Sequence, residues 1–314
     1  MSWIQDGQLR VIGDDGVPRC LLRVATDTSA VRWSPTGQRV LVDPHTVAGP
    51  EGTRASGYNA TNLTVSWSQP TGKALLGITE AKGELTWRDS TRDDRKAISF
   101  LARTDEAVYH PAGRGVVAVG VDESGIYGVW LASNRGENRK LIARIEDPST
   151  PASHLTFSVD GTTLYFIHDH ADAHHVHALQ LAGLILTDYV ADSRPISDLT
   201  VSTTDSSVAW RAGRCDSSGS VLVTAPTTSP GTDLRSVAGS PFASSTIQPI
   251  GWLSDARLVI AARASGCDGS ADVWIWSSAG GFEQIGAGWT SVSVRTPRGA
   301  FQELPATIEE AAPG

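Results

Sequence analysis

The stretch Leu155-Thr156-Phe157-Ser158-Val159-Asp160-Gly161, followed by Leu164-Tyr165-Phe166-Ile167, decides the fold of this 314-residue chain. Apolar residues alternate with others in the first segment, as they do in a strand that buries one face. The Asp-Gly step supplies the positive φ that a tight reversal requires, and a second apolar segment follows. The stretch therefore predicts an antiparallel β-hairpin.

The same phrase returns along the chain as an apolar strand, a turn and a second apolar strand. The first strands of the other copies contain Trp33, Trp67, Tyr109, Val201, Trp252 and Val294. Successive copies lie about 43 residues apart on average, which is the length of a four-stranded propeller blade. We therefore predict an all-β chain, a β-propeller of four-stranded antiparallel blades. Seven blades are favoured, with six as the alternative.

The blade count depends on the two ends of the chain and on one short unit. The last copy, Val292-Ser293-Val294, has no second strand after it. Three N-terminal segments supply the missing strands: Trp3–Gln5, Gln8–Ile12 and Cys20–Val24. Strands from both termini would then close the ring and remove its open edges. The unit over residues 31–64 is short and rich in Gly, Thr and Asn, and its degeneration would leave six blades.

The phrase Leu155–Gly161 resembles the repeat of TolB-like (PD40) propellers, which are relatives of the WD40 group. The resemblance covers roughly residues 3–298, strongly in four copies and loosely in three. No Trp-Asp dipeptide ends a blade, and the Gly-His of WD40 units is missing. The resemblance implies a bacterial, non-catalytic scaffold that binds a ligand or a protein and is often exported.

Charge and hydropathy limit the partners of the chain. Its formal net charge is −8, so it repels phosphate backbones, and we expect no nucleic-acid partner. Its longest apolar segment, Ala178–Leu186, is far shorter than the ~20 residues of a spanning helix, and no membrane span is expected. We expect a monomer that binds a protein or peptide. A single propeller domain over residues 1–298 would precede a disordered tail over residues 299–314.

Two of the three cysteines occupy equivalent positions in neighbouring units. Cys215 and Cys267 each follow an Arg-Ala pair after the same strand, so their loops would project from one face. We predict a disulfide between them, the alternative being two free thiols. Cys20 lies in an apolar strand, which indicates a buried, unreactive thiol.

The predicted disulfide bears on where the protein resides. An oxidising compartment favours an extracytoplasmic location, whether secreted, periplasmic or anchored to a membrane with its leader removed. Met1 leads directly into the strand-like Ser2–Gln5, without the charged and apolar regions of a signal peptide. A cytoplasmic location is therefore the alternative.

Five of the eight histidines fall within residues 168–177, on the hairpin that joins two strands of the fourth unit. Alternate residues of a strand share a face, so neighbouring strands would present four imidazoles: His168, His170, His175 and His177. Such a group could bind Zn²⁺, Ni²⁺ or Cu²⁺, with Asp169 or Asp172 assisting. The alternative is a solvated hairpin tip that binds metal only adventitiously. No other cofactor is expected.

Three functions follow from these observations. The first is recognition of a protein, peptide or cell-envelope ligand through a loop face or the central funnel, with Arg54, Tyr58 and Asn59 as candidate contacts in the long segment His45–Asn62. A degenerate blade explains that segment equally well. The second is a hydrolase or lyase at the central channel, although the sequence contains no standard catalytic motif. The third is metal binding by the histidine hairpin.

Overall fold

The computed structural model is all-β: the described part of the chain contains 27 strands and no helix. The structure describes residues 1–12, 17–24, 31–34, 39–42, 46–48, 54–57, 62–67, 74–79, 83–89, 95–113, 115–170, 173–203, 207–215, 220–228, 235–237, 246–254, 257–264, 266–278 and 280–294. The chain divides into two compact units, Met1–Asn59 with Arg194–Arg298 and Ala60–Ser193 with Gly299–Gly314. The proposed tail, residues 299–314, lies outside the described residues.

The unit that begins at Ala60 contains three antiparallel sheets of four strands each, numbered here in chain order. The first comprises β8 (Asn62–Trp67), β9 (Ala74–Thr79), β10 (Glu84–Asp89) and β11 (Arg95–Ala97). The second comprises β12 (Arg103–Tyr109), β13 (Val116–Val121), β14 (Tyr127–Ala132) and β15 (Lys140–Arg144). The third comprises β16 (Ser153–Phe157), β17 (Thr163–Asp169), β18 (His174–Gln180) and β19 (Ile185–Asp192).

The other unit contains two four-stranded sheets and one of seven strands. One four-stranded sheet comprises β4 (Val31–Trp33), β5 (Val40–Val42), β6 (Thr46–Ala48) and β7 (Arg54–Gly57). The other comprises β20 (Ile196–Val201), β21 (Ser207–Ala212), β22 (Val221–Pro226) and β23 (Arg235–Val237). The seven-stranded sheet runs β24 (Thr246–Ser254), β25 (Arg257–Arg263), β26 (Ala271–Ser277), β27 (Gly281–Ser293), β1 (Ser2–Gln5), β2 (Gln8–Ile12) and β3 (Pro18–Arg23).

The long strand β27 explains the seven-stranded sheet. Its first part pairs with β26, and its last part pairs with β1 through Ser2 opposite Ser293 and Ile4 opposite Thr290. The pairing of N-terminal and C-terminal strands that the sequence predicts is therefore present. With β27 shared between two blades, and with four strands present in the short unit from β4 to β7, the sheets fit a count of seven blades.

The serine of the repeated phrase has a structural role. The Ser158 N–H donates to the Thr163 carbonyl at 2.8 Å, and the Ser158 hydroxyl accepts from the Thr163 N–H at 2.9 Å. Gly161 takes a φ of 77° inside this turn, a conformation that favours glycine. The same pair of bonds joins Ser202 to Ser207 and Ser34 to Arg39. The phrase recurs because it closes hairpins.

Apolar side chains fill the space between adjacent sheets. Val117, Val119 and Val129 of the second sheet share one buried cluster with Phe166 and Leu179 of the third. Each of these five side chains is at most 1% exposed. Because both faces of such strands meet protein, their sequence loses the apolar–polar alternation of a half-buried strand.

Cys20 contradicts the sequence-based expectation, because it is a free and exposed thiol rather than a buried one. It lies on β3, the outermost strand of its sheet, where every residue is exposed or half-buried. An apolar run indicates a strand, but it does not show whether that strand lies at an edge.

Candidate metal centre

The histidine hairpin is formed by β17 and β18, and its register places the predicted imidazoles on one face. His168 lies opposite His175, and Phe166 lies opposite His177. Residues two apart on a strand share a face, so His170 extends the same row just beyond the end of β17. Phe166, on the same face of β17 but nearer the sheet centre, packs in the buried cluster that the third sheet shares with the second.

Three of these histidines converge. One ring nitrogen from each of His168, His170 and His177 lies within 4.8 Å of the other two. His168 and His177 are 2% and 5% exposed, whereas His170 is exposed. His168 and His177 therefore form the buried floor of the cluster, and we call them the floor histidines. His170 lies at its exposed rim.

His175 is close to the cluster but lies beside it. Its ring meets His170 edge-on, with 4.5 Å between centroids, and is nearly parallel to His177 at 5.7 Å. The fifth histidine, His174, lies opposite Asp169 in the register, and its Nδ1 is 2.7 Å from Asp169 Oδ1. This contact is not an aligned hydrogen bond, and Asp169 lies on the face of the strand opposite His168 and His170. Asp172 lies outside the described residues.

The segment between β15 and β16 fixes the tautomer of His168. Nε2 of His168 lies 2.9 Å from the backbone oxygen of Asp147 and 3.4 Å from the Thr150 hydroxyl. A carbonyl oxygen can only accept, so Nε2 carries the proton and Nδ1 keeps the lone pair. Thr150 in turn donates to the Asp169 carbonyl at 2.6 Å, which ties the segment to the hairpin.

His177 is oriented by a carboxylate and an aromatic ring. Its Nδ1 lies 2.9 Å from Asp188 Oδ1 on β19, at ion-pair distance rather than as an aligned hydrogen bond. Its ring stacks on Phe166, with 5.1 Å between centroids. Nε2 is buried and finds no hydrogen-bond partner among the described residues. A carboxylate beside Nδ1 favours the proton there, and the buried Nε2 is then the lone-pair nitrogen.

The surroundings keep the two floor histidines neutral. The pKa of His177 is lowered to about 4, chiefly by burial; Asp188 opposes this shift, and the neighbouring imidazoles add to it. Burial also lowers the pKa of His168, although its bond to the Asp147 carbonyl works in the opposite direction. Neutral imidazole is the form that binds a metal ion.

A second buried polar cluster lies in the other unit, near the predicted cysteine pair. Arg211 is 5% exposed, and its Nε donates to Asp198 at 2.7 Å. Gln248 donates to the second oxygen of Asp198 at 2.8 Å and accepts from Arg263 at 2.7 Å. Each of these four side chains has a hydrogen-bond partner within the group, which indicates a structural role.

The structure joins Cys215 to Cys267 in a disulfide, in agreement with the prediction, with 5.1 Å between their Cα atoms. The Thr246 hydroxyl donates to the Cys215 carbonyl at 2.9 Å, which ties the same loop to β24. The remaining predicted contacts lie elsewhere. Arg54 is the first residue of β7, and Tyr58 and Asn59 lie outside the described residues. The binding-loop assignment stays a prediction.

Sequence reasoning missed an apolar cleft of about 180 Å³ beside β19. The residues that line it are mainly aliphatic and include one lysine: Leu131, Lys140, Ile142, Leu181, Ala182, Gly183 and Leu184. Next to it, Ile185 and Leu186 are 52% and 38% exposed on the outer strand of their sheet. Exposed apolar residues on an outer strand were the signal in the sequence, but the sequence does not show which strand is outermost.

Two carboxylates on the described strands, Glu106 and Asp198, are held by other residues. Glu106 accepts hydrogen bonds from the backbone N–H groups of His154 and Leu155, at 2.6 and 2.9 Å, so both of its carboxylate oxygens are occupied by backbone donors. Asp198 is likewise engaged by Arg211 and Gln248. These two carboxylates have structural partners, and the hydrolase or lyase hypothesis stays a prediction.

No family model and no curated protein matches the chain. Solved structures do. A putative TolB from Agrobacterium tumefaciens is similar at 14% identity, with 78% of this chain and 88% of that chain covered and a TM-score of 0.56. An oligogalacturonate lyase in complex with manganese is similar at 11% identity, with 76% and 72% covered and a TM-score of 0.58.

The Cps50 (Swd1) β-propeller domain of Myceliophteria thermophila is similar at 11% identity, with 84% of this chain and 86% of that chain covered and a TM-score of 0.56. At these identities the likeness concerns the fold. Together with the antiparallel four-stranded sheets, it shows that the chain has a β-propeller fold, which TolB and other propellers share.

Proposed function

We propose that this propeller binds a divalent transition-metal ion, with Zn²⁺, Ni²⁺ or Cu²⁺ held by His168, His170 and His177. The observation that carries the proposal is the convergence of three ring nitrogens within 4.8 Å, two of them on buried rings. Imidazole is a preferred ligand of these three ions. A buried imidazole nitrogen without a partner, as at His177 Nε2, is stabilised when a metal ion occupies its lone pair.

A metal ion would require only a small movement of the three rings toward one another. Nitrogens bound to a tetrahedral zinc at 2.0–2.1 Å are about 3.4 Å from one another. The observed nitrogens lie within 4.8 Å, so the rings must approach by little more than an ångström. His170 is the exposed member of the three, so we expect its ring to make most of this movement.

The partners of the floor histidines favour the same function. Metal-bound histidines generally donate their other ring N–H to a carboxylate or a backbone carbonyl, which fixes tautomer and orientation. His168 has the Asp147 carbonyl in that position, and His177 has the Asp188 carboxylate at ion-pair distance from Nδ1. The similar lyase structure contains manganese, so a propeller fold holds a metal ion there. The imidazole set of this chain favours zinc, nickel or copper instead.

Calorimetric titration of the tag-free chain, stripped with EDTA and then titrated with zinc chloride, tests the proposal. We expect one saturable site per chain. His170→Ala removes an exposed ligand with little effect on folding, and we expect it to weaken zinc binding by at least about tenfold. His174→Ala is the matched control, because His174 lies on the same hairpin but pairs with Asp169. Weak uptake that falls equally in both variants would mean adventitious binding and would contradict the proposal.

A protein or peptide partner is the second candidate function, and the apolar cleft beside β19 favours it. An outer strand can accept an added strand, and the cleft can hold an apolar side chain, with Lys140 beside it for a carboxylate. The proposed occupant is therefore an extended segment with an apolar anchor next to an acidic residue.

Selection of a displayed peptide library on the wild-type chain tests this second candidate. We expect apolar–acidic sequences to be enriched and to lose binding to Leu186→Arg, which puts charge on the exposed strand without touching the core. Binding that is equal for wild type and variant would contradict a site at this strand.

We also propose an extracytoplasmic location. The Cys215–Cys267 disulfide supports it, because structural disulfides persist in oxidising compartments. Fractionation of the source cells, with the thiol state of the two cysteines measured by alkylation in each fraction, tests it. Reduced cysteines in a cytosolic pool would contradict it.

A further inference from the structure

We infer that the metal ion keeps one coordination position open to solvent and takes a carboxylate or another small anion there. This inference rests on the proposed metal site. It separates two kinds of centre, because closed sites with four protein ligands are structural, whereas sites with three protein ligands bind exchangeable molecules.

The positions of the three rings place the open side. His168 and His177 lie under the surface, whereas His170 reaches the site from the exposed end of the hairpin. A metal ion that touches all three is therefore covered from below by the buried pair and flanked by a solvent-exposed ring. Its remaining position faces outward.

His175 is the nearest candidate for a fourth protein ligand, and its geometry does not fit that role. Its ring is stacked on that of His177 at an interplanar angle of 15°, with 5.7 Å between centroids. Among the described residues, the ring nitrogens that converge within 4.8 Å belong to His168, His170 and His177 and do not include one of His175. His175 instead packs edge-on against His170.

The carboxylates near the hairpin are also engaged in other contacts. Asp169 pairs with His174, and Asp188 lies at Nδ1 of His177, on the side of the ring away from Nε2. Within the described residues, the convergent set therefore consists of three imidazole nitrogens. An imidazole that binds a metal ion carries no charge, so three of them leave the double positive charge of the ion largely uncompensated, which favours an anion at the open position.

Cobalt(II) absorption spectroscopy tests the inference, because the visible bands of cobalt report coordination number and ligand exchange. The EDTA-stripped, tag-free chain is loaded with one equivalent of cobalt and titrated with sodium azide and then with sodium acetate. We expect saturable changes in the bands with one azide per cobalt. We expect His175→Ala to retain cobalt affinity within about threefold and to respond to azide as the wild type does.

The outcomes separate this inference from the proposal on which it rests. Cobalt that binds at one site with bands unmoved by azide would overturn the open position while the metal site stands. A loss of more than about tenfold in cobalt affinity in His175→Ala, together with wild-type bands unmoved by azide, would indicate a closed site with four histidines. No cobalt uptake by the wild type would overturn both. His174→Ala serves as the control and should match the wild type in affinity and azide response.

Discussion

The histidine face of β17 and β18 and the arginine cluster of β20, β21, β24 and β25 both bury polar side chains, but they satisfy them differently. In the arginine cluster, Asp198 accepts from Arg211 and from Gln248, and Gln248 accepts from Arg263. On the histidine face, side chains of one kind are gathered, and His177 Nε2 has no hydrogen-bond partner in the described part of the chain.

This difference distinguishes a structural polar cluster from one suited to a ligand. Burial of a polar group costs free energy unless a partner compensates it. The arginine cluster provides its own partners and so contributes to the stability of its sheets. The histidine face leaves the cost at His177 uncompensated in the free protein, and a metal ion would compensate it.

Removing one buried partner should give the largest effect and sharpen this contrast. Arg211→Met leaves the Asp198 charge half-buried without its guanidinium, and we expect a loss of about 3–5 kcal/mol in the free energy of unfolding. His177→Phe replaces an unsatisfied imidazole with an apolar ring beside Phe166, and we expect a change within about 1.5 kcal/mol. Urea denaturation in the presence of EDTA measures both.

Each variant is the control for the other, because both replace a buried strand residue, Arg211 in one unit and His177 in the other. Equal destabilisation by Arg211→Met and His177→Phe would break the comparison. It would mean that the histidine face, too, is held by its own contacts rather than left for a ligand.

Opening the disulfide should have the next largest effect. Cys215 and Cys267 are 52 residues apart in sequence, and the link restricts the unfolded chain. We expect the Cys215→Ser, Cys267→Ser double variant to lose about 2–4 kcal/mol of unfolding free energy. Zinc affinity should not change, because the linked loops and the histidine face belong to different units. Urea denaturation and zinc titration of the same preparation measure the two quantities, and a coupled loss of affinity would contradict their independence.

Acid provides a further test of the histidine face. The pKa of His177 is about 4 in the folded chain, below the ordinary 6.5, so the unfolded chain binds more protons between these values. Stability from this residue is therefore complete above pH 6.5 and is lost as pH falls toward 4, by at most about 1.4 kcal/mol per pH unit. The expected signature is a fall in unfolding free energy between pH 6.5 and 4 that His177→Phe reduces. An unchanged slope in that variant would contradict a neutral, buried His177.

The repeat predicts much of the fold, and edge effects account for what it misses. Alternating apolar residues and the Asp-Gly turn locate β16 and β17, since these signals are local. The strands β6 and β7 form in a stretch poor in strand residues, because pairing with neighbouring strands outweighs intrinsic propensity. Cys20 was placed wrongly because burial depends on which strand ends a sheet.

The sequence likewise predicts one part of the candidate site and not the other. The period of two along a strand predicts that the four histidines share a face. The partners that orient the rings come from other segments. Asp147 precedes β16, and Asp188 lies opposite His177 only because the register of β18 and β19 shifts between Val176 and His177. A bulge of this kind depends on packing, so sequence spacing does not predict it.

The most direct measurement is the anomalous difference map of a crystal of the tag-free chain grown with zinc and measured at the zinc absorption edge. We expect one strong peak per chain, about 2.0–2.1 Å from a nitrogen of each of His168, His170 and His177, with a non-protein ligand on its outer side. A peak at His174 and Asp169 instead, or no peak on the hairpin while zinc occupies other surface sites, would contradict the histidine face as the metal site of this propeller.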